Sequence, residues 1–349
     1  MRWDNLTVAA DEQARLPGYR ESAVVRRFDA PEALDTRFYE VRARSALNRV
    51  PAASRMPFRW TVNPYRGCTH ACCFCFARPT HRYLDFNAGR DFEREIVVKV
   101  NAPEVLRAEL ARPSWRGEHV AMGTNTDPYQ WVEGRYRLME GIWTALRDAR
   151  NPCSILTKSP LVLRDLPLLR QIAEVADVSA CLSVPTLDEQ AWRATEPHTP
   201  HPRARLEAVG ELNRAGIPCG ILVAPLMPGI NDDPAQVERI LALAAANGAT
   251  GAGGIALHLR GEVRGVFMDW LRTQRPDLVS RYEQLYARGA YAPPAERARI
   301  AGVLAAARRK HPPRGTRAGA FRRNGRSPAL DPPVSPRRAS PDAEQQALF

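Results

Sequence analysis

The sequence predicts an α/β fold: a partial (β/α)6 TIM-like barrel with an N-terminal extension and a disordered basic C-terminal tail. Three observations carry this expectation. Across residues 58–259, short β-rich segments alternate with helical patterns at roughly 30 to 40 residues per unit, the rhythm of parallel strands joined by right-handed crossovers. About six such strands are visible, too few for a closed eight-stranded barrel. The first of them is followed by cysteines, where an open doubly wound sheet would carry a phosphate-binding glycine fingerprint.

Residues 1–56 are Arg-rich with little sustained periodicity and read as an irregular extension. FRWTVN (58–63) is rich in β-formers and runs into the cysteine loop. EIVVKVN (95–101) is a further β-rich segment, followed by the helical run APEVLRAELA. HVAMGTN (119–125) reads as the second barrel strand, and 136–150 as an amphipathic helix. CSILTK (153–158), DVSACLSV (177–184), PCGILVAPL (218–226) and TGAGGIALHL (250–259) are the later strands, with helices at 161–176, 203–215 and 234–247 between them. The barrel therefore occupies residues 57–262, and helical patterns at 264–288 and 294–310 form a cap over residues 263–310. In 311–349 Pro, Arg, Ser and Gly dominate, leaving too little apolar surface to offset the entropy of ordering, so this tail is expected to be disordered.

Composition narrows the class. Of 349 residues, 44% are apolar and 25% charged, as in a soluble globular protein with a core. No stretch approaches the roughly 18 to 20 apolar residues of a membrane span. MRWDNLTVAADEQARLPGYR lacks the apolar region of a secretory signal, so a cytoplasmic location is expected. The net charge of +12 is uneven: residues 301–349 hold ten basic and three acidic residues. Such a tail suits phosphate contacts with nucleic acid, and reads equally well as solvated chain without a partner. Only three lysines (Lys99, Lys158 and Lys310) stand against 47 arginines, the bias that a GC-rich coding sequence imposes.

Four of the seven cysteines, Cys68, Cys72, Cys73 and Cys75, fall within eight residues. In a reducing compartment such density points to metal binding rather than disulfides. Cys153, Cys181 and Cys219 sit singly in or beside apolar runs and read as small buried hydrophobes. Three cysteines spaced C-x3-C-x2-C can hold three corners of a 4Fe-4S cube and leave the fourth iron open to an external ligand. Cys73 leaves a second reading open, in which a fourth thiolate closes a zinc or iron site. That alternative is a non-catalytic metal-binding module or a closed-cluster electron-transfer protein. Structural zinc sites usually pair two distant cysteine hooks, and no second hook is present here.

C-x3-C-x-aromatic-C, filled by Cys68, Cys72, Phe74 and Cys75, resembles the signature of the radical S-adenosylmethionine (SAM) superfamily. NPYRGCTHACCFCFARPTHRYLDF, GTNTDPYQWVEG (123–134), LTKS (156–159) and APLMPGIND (224–232) are similar to the spore photoproduct lyase-like group, the "DNA repair photolyase" type, over roughly residues 55–260. The resemblance implies a 4Fe-4S cluster on Cys68, Cys72 and Cys75. It implies SAM bound through its amino and carboxylate groups at the open iron, and a 5′-deoxyadenosyl radical that abstracts hydrogen from substrate. It also implies a reductant such as ferredoxin or flavodoxin, with nucleic acid as a candidate substrate.

Several residues then become candidate cofactor contacts. Phe74 is the aromatic of the motif. Thr124, Asn125, Thr126 and Asp127 lie where the second barrel strand ends, placed for the methionine amino group or for substrate; Asp127 before Pro128 also fits a plain polar turn. Lys158 is a point charge for the cofactor carboxylate or ribose. Ser183 resembles the family's polar contact at the end of the fourth strand. Tyr65, Arg66, His70, His81, Arg82 and Tyr83 flank the loop, whereas His198 and His201, in HTPHP, read as solvent-facing or satisfied. One departure stands out. Residues 123–125 hold no cysteine where spore photoproduct lyases carry a hydrogen donor, which argues against thymine-dimer repair.

Overall fold

The computed structural model describes residues 8–11, 15–16, 23–28, 35–51, 54 and 56–315. In chain order its strands are β1 (Val8–Asp11), β2 (Val24–Phe28), β3 (Arg37–Val41), β4 (Leu47–Arg49), β5 (Trp60–Val62), β6 (Tyr65–Arg66), β7 (Glu95–Lys99), β8 (Val120–Met122), β9 (Cys153–Thr157), β10 (Val178–Ser183), β11 (Cys219–Leu226) and β12 (Ala252–Ala256).

The larger sheet runs β12-β11-β10-β9-β8-β5-β4. β5, β8, β9, β10, β11 and β12 pair in parallel, and β4 joins the far edge antiparallel. These six parallel strands fall inside the six barrel segments read from the sequence. Their helix-facing side chains, among them Val62, Met122, Ile155, Leu182 and Ile221, share one core with Trp143, Val209 and Ile240 of the crossover helices Leu138–Asp148, Pro202–Arg214 and Pro234–Ala246. The last of these helices starts with Pro234, which has no N–H and so needs no acceptor in the first turn, and the Asp233 carboxylate accepts the Gln236 N–H at 2.9 Å. The helix Pro294–Lys310 packs on it and on β12, covering the open sheet edge. The helical pattern at 264–288 is divided in the fold into Val263–Gln274 and Val279–Leu285, because Pro276 cannot continue the first helix.

The described part of residues 1–56 holds more strand than the irregular extension expected of it. β1, β2 and β3 join β6 and β7 in a second sheet, ordered β1-β2-β3-β7-β6, in which β3 runs parallel to β7, while β4 lies in the larger sheet. The signal was weak because Phe38, Tyr39 and Val41 of β3 are all buried, so both faces are covered and no alternation shows. The partner of β3 also lies far along the chain, with Arg37 opposite Glu95. The β-rich EIVVKVN segment belongs to this sheet and not to the barrel. The chain leaves the barrel after β5, pairs Tyr65 and Arg66 with β7, and only then enters the cysteine loop.

No helix among the described residues is long and apolar enough to cross a membrane. From residue 316 onward, the tail expected to be disordered lies outside the described residues.

Candidate active site

The cysteine loop is held from three sides. The Cys68 N–H donates to Phe92 O at 2.9 Å, tying the loop to the segment that leads into β7. Gln130 accepts from the Thr69 N–H at 2.9 Å and donates to Gly67 O at 3.2 Å. Arg78 is fully buried within the loop. Its guanidinium donates to the carbonyls of Ala71, Cys72, Ala88 and Gly89 at 2.9 to 3.2 Å and pairs with Glu93. Five fixed donors on one planar cation are what a loop with few internal hydrogen bonds needs.

Cys68, Cys72 and Cys75 all line one cavity of about 190 Å³. Burial pushes the Cys68 thiol up to about 12 and raises those of Cys72 and Cys75; the field of Cys75 adds to the effect on both Cys68 and Cys72. Cys73 does not line this cavity. Its thiol, raised chiefly by burial, feels Arg78, Glu196 and Glu93 and packs among Met227, Phe267 and Tyr282. Among the described residues, no three His, Cys, Asp or Glu side chains converge on a single-ion site. Three thiols around a shared space, not gathered on one point, suit a cluster with several irons better than one zinc ion.

The barrel strand ends supply the opposite wall. Gly123 lies close against β9, at φ +75°, where an added Cβ would sit 1.7 Å from Leu156 O. Asn125 also lines the cavity, and its buried Oδ1 has no hydrogen-bond donor among the described residues. A buried acceptor without a partner is costly unless a ligand supplies the donor. Thr124 is half-buried and lies outside the lining. Thr126 is buried and donates to Tyr65 O at 2.9 Å, joining the loop to β6. Asp127 reaches the cavity, but its oxygens accept from Thr157 Oγ1, the Lys158 N–H and the Tyr129 N–H at 2.7 to 2.9 Å. It works mainly as a clasp between strand ends. His70 lies 3.5 Å from Asp127, and burial lowers it to about 4, so it is neutral at pH 7.

Lys158 and Ser183 meet at the next two strand ends. Lys158 Nζ donates to Ser183 Oγ at 2.9 Å, lies 5.6 Å from the Phe74 ring centre, and faces Glu196 at 2.5 Å. Of the remaining loop residues, His81 contacts Glu95 O at 2.8 Å through Nε2 and packs against Phe86 and Phe92, outside the cavity. At the outer end stand Phe76 and Ile255, 55% and 53% exposed, and His258. The His258 ring lies 6.3 Å from that of Phe76 and stacks at 5.8 Å on Tyr291, itself 48% exposed, with the Arg260 guanidinium 5.1 Å from the Tyr291 ring centre.

Residues 62–242 match the profile of the radical SAM superfamily. The chain belongs to the radical SAM superfamily. An uncharacterized protein of Mycobacterium tuberculosis is 50% identical over 301 residues, covering 85% of this chain and 88% of that protein. An uncharacterized protein of Methanocaldococcus jannaschii is 26% identical over 195 residues, 55% of this chain and 69% of its own. Among solved structures, spore photoproduct lyase complexed with dinucleoside spore photoproduct superposes with a TM-score of 0.60 at 15% identity, over 82% of this chain and 84% of that one. A substituted form with bound AdoMet and dinucleoside spore photoproduct gives 0.57 at 15%, over 75% and 77%. At these identities the likeness is one of fold. It agrees with the partial barrel described above, and superfamily membership marks an enzyme of radical chemistry.

The residues that sequence reasoning passed over are Gln130, Arg78, Glu196, Arg205 and the Phe76–His258–Tyr291 stack. Arg78 and Phe76, in CFCFARP, and Gln130, in GTNTDPYQWVEG, lay within the resembling phrases; the others carried no signal.

Proposed function

We propose that the chain is a radical SAM enzyme in which Cys68, Cys72 and Cys75 hold a 4Fe-4S cluster and the adjoining wall binds S-adenosylmethionine. The observation that carries this is the shared cavity: three motif thiols on one side, and Asn125, Lys158 and Ser183 on the other. Asn125 Oδ1 offers an acceptor for an ammonium, while Lys158 Nζ offers a donor for a carboxylate, joined by Ser183 Oγ when its hydroxyl turns from its long 3.4 Å bond to Ala224 O. The donor set thus fits both ends of an α-amino acid group beside the thiols. When bound together and reduced, cluster and SAM supply methionine and a 5′-deoxyadenosyl radical; the protein's part is to position and shield them. Phe74, Leu222, Ala224 and Leu257 give the cavity an apolar lining that keeps water from such a radical.

The substrate reading follows from the mouth. Aromatic rings exposed in a stack beside a guanidinium suit a flat, π-rich group tied to anionic phosphates, so a nucleobase in single-stranded nucleic acid is the favoured substrate. The anaerobic protein, reconstituted with iron and sulfide and reduced with dithionite, is expected to release 5′-deoxyadenosine from SAM. Cys73→Ala should retain the cluster absorbance and this activity, whereas Ala at Cys68, Cys72 or Cys75 should abolish both. A fully loaded protein that releases no 5′-deoxyadenosine would defeat the proposal.

A further inference from the structure

Two fully buried charges, Glu196 and Arg205, stand behind the cavity wall. Arg205 donates to Glu196 Oε2, Ser183 O and Pro200 O, each at 2.9 Å, and to Thr199 Oγ1 at 2.5 Å, so it is fixed in place. The other oxygen, Glu196 Oε1, lies 2.5 Å from Lys158 Nζ. That contact is an ion pair, and beyond it Oε1 has no partner among the described residues. One carboxylate therefore sits between two cations. The cluster carries one net positive charge, and its only member on the cavity lining is Lys158.

We infer that Glu196, clamped by Arg205, is a positioning residue that tethers the Lys158 ammonium beside Ser183 Oγ, so that the cavity presents a fixed cation to the carboxylate of a bound α-amino acid group. The inference rests on the reading that this cavity takes SAM. A lysine stem is long and loses much rotamer freedom when its end is immobilised. Here that loss is met on folding and not on binding, which favours the ligand. Arg205 already balances Glu196, so the tether does not cancel the charge of Lys158.

Positioning and simple electrostatics predict opposite signs for Glu196→Gln. Removing a negative charge from the wall would, by field alone, tighten a carboxylate ligand. Loss of the tether lets Lys158 move off Arg205, and binding weakens. The test measures dissociation constants on the anaerobic, cluster-loaded protein by equilibrium dialysis, for SAM and for its decarboxylated analogue. E196Q is expected to weaken SAM about tenfold or more, the scale of one charge-assisted hydrogen bond, while the analogue changes less than about twofold. E196D, with the charge kept and the reach shortened, should fall between; it reads the same ratio if E196Q does not accumulate as folded protein. Equal weakening of both ligands, or tighter SAM binding by E196Q, overturns the inference. If the loaded wild-type protein binds neither ligand, the cofactor reading has failed and takes the inference with it. If wild type and variants discriminate between the two ligands equally, only the inference falls.

Discussion

Gly123 is where the fold tolerates least. It follows β8 with φ +75°, and a Cβ there would lie 1.7 Å from Leu156 O and 2.8 Å from Leu156 C. Alanine at this position meets two costs. The left-handed backbone costs a residue with a Cβ about 1 to 2 kcal/mol. The carbonyl must also retreat by more than about 1 Å to reach even a 3.0 Å contact, and Leu156 is central in β9, paired with Cys181 of β10. Forcing atoms into a packed interior costs about 1 to 3 kcal/mol, so Gly123→Ala should destabilise by about 2 to 5 kcal/mol. Gly117 supplies the control: its φ is +68°, yet nothing lies within 4 Å of an added Cβ, so Gly117→Ala should show the backbone cost alone. Urea titrations of wild type and both variants, followed by circular dichroism, isolate the collision as the difference between the two alanines. Agreement of the two variants within about 0.5 kcal/mol would refute the close approach.

Arg78→Met should remove one donor from each of four backbone carbonyls, of which Cys72 O keeps the Cys75 N–H at 3.2 Å, and the partner of Glu93, at a cost of about 3 kcal/mol or more, with loss of bound iron after reconstitution; a change below about 1 kcal/mol would contradict its role as loop anchor. Lys99 gives a pH signature. Burial, with a contribution from Arg66, lowers its ammonium from 10.5 to about 7. Between those values the unfolded chain holds the extra proton, so stability should rise with pH from about 7 to about 10; below 7 both states are protonated and the penalty is constant. Lys99→Met should remove this slope and stabilise the protein at pH 7 by up to about 4 kcal/mol. Parallel stability curves for wild type and variant across that range would exclude the assignment.

The barrel was legible because its strands are rich in apolar residues and read as short runs bounded by turns, with β8 buried throughout and β9 nearly so. The cysteine loop was legible because its chemistry depends on spacing along the chain. The second sheet was hidden by distance: β3 and β7 are partners across more than fifty residues, and a short strand says little until its neighbour is known. Glu196 and Arg205 were hidden for another reason. A charged residue reads as surface by default, and among 47 arginines Arg205 does not stand out. Asp127 was legible only in part: the plain turn reading accounts for the bond from the Tyr129 N–H, while the bonds from Thr157 and Lys158 come from the next strand end and depend on the fold.

The brief pairing of β6 with β7 has a practical consequence. A fragment cut to the barrel strands alone would keep β5 but separate Tyr65 and Arg66 from the second sheet, and Cys68 follows them by two residues. The thiol loop is therefore a hinge-pin between two sheets, fastened to each. Swapping barrels between relatives, or trimming the first fifty-odd residues to obtain a smaller enzyme, would cut through its mounting. The piece that can be moved intact is the pair of sheets together.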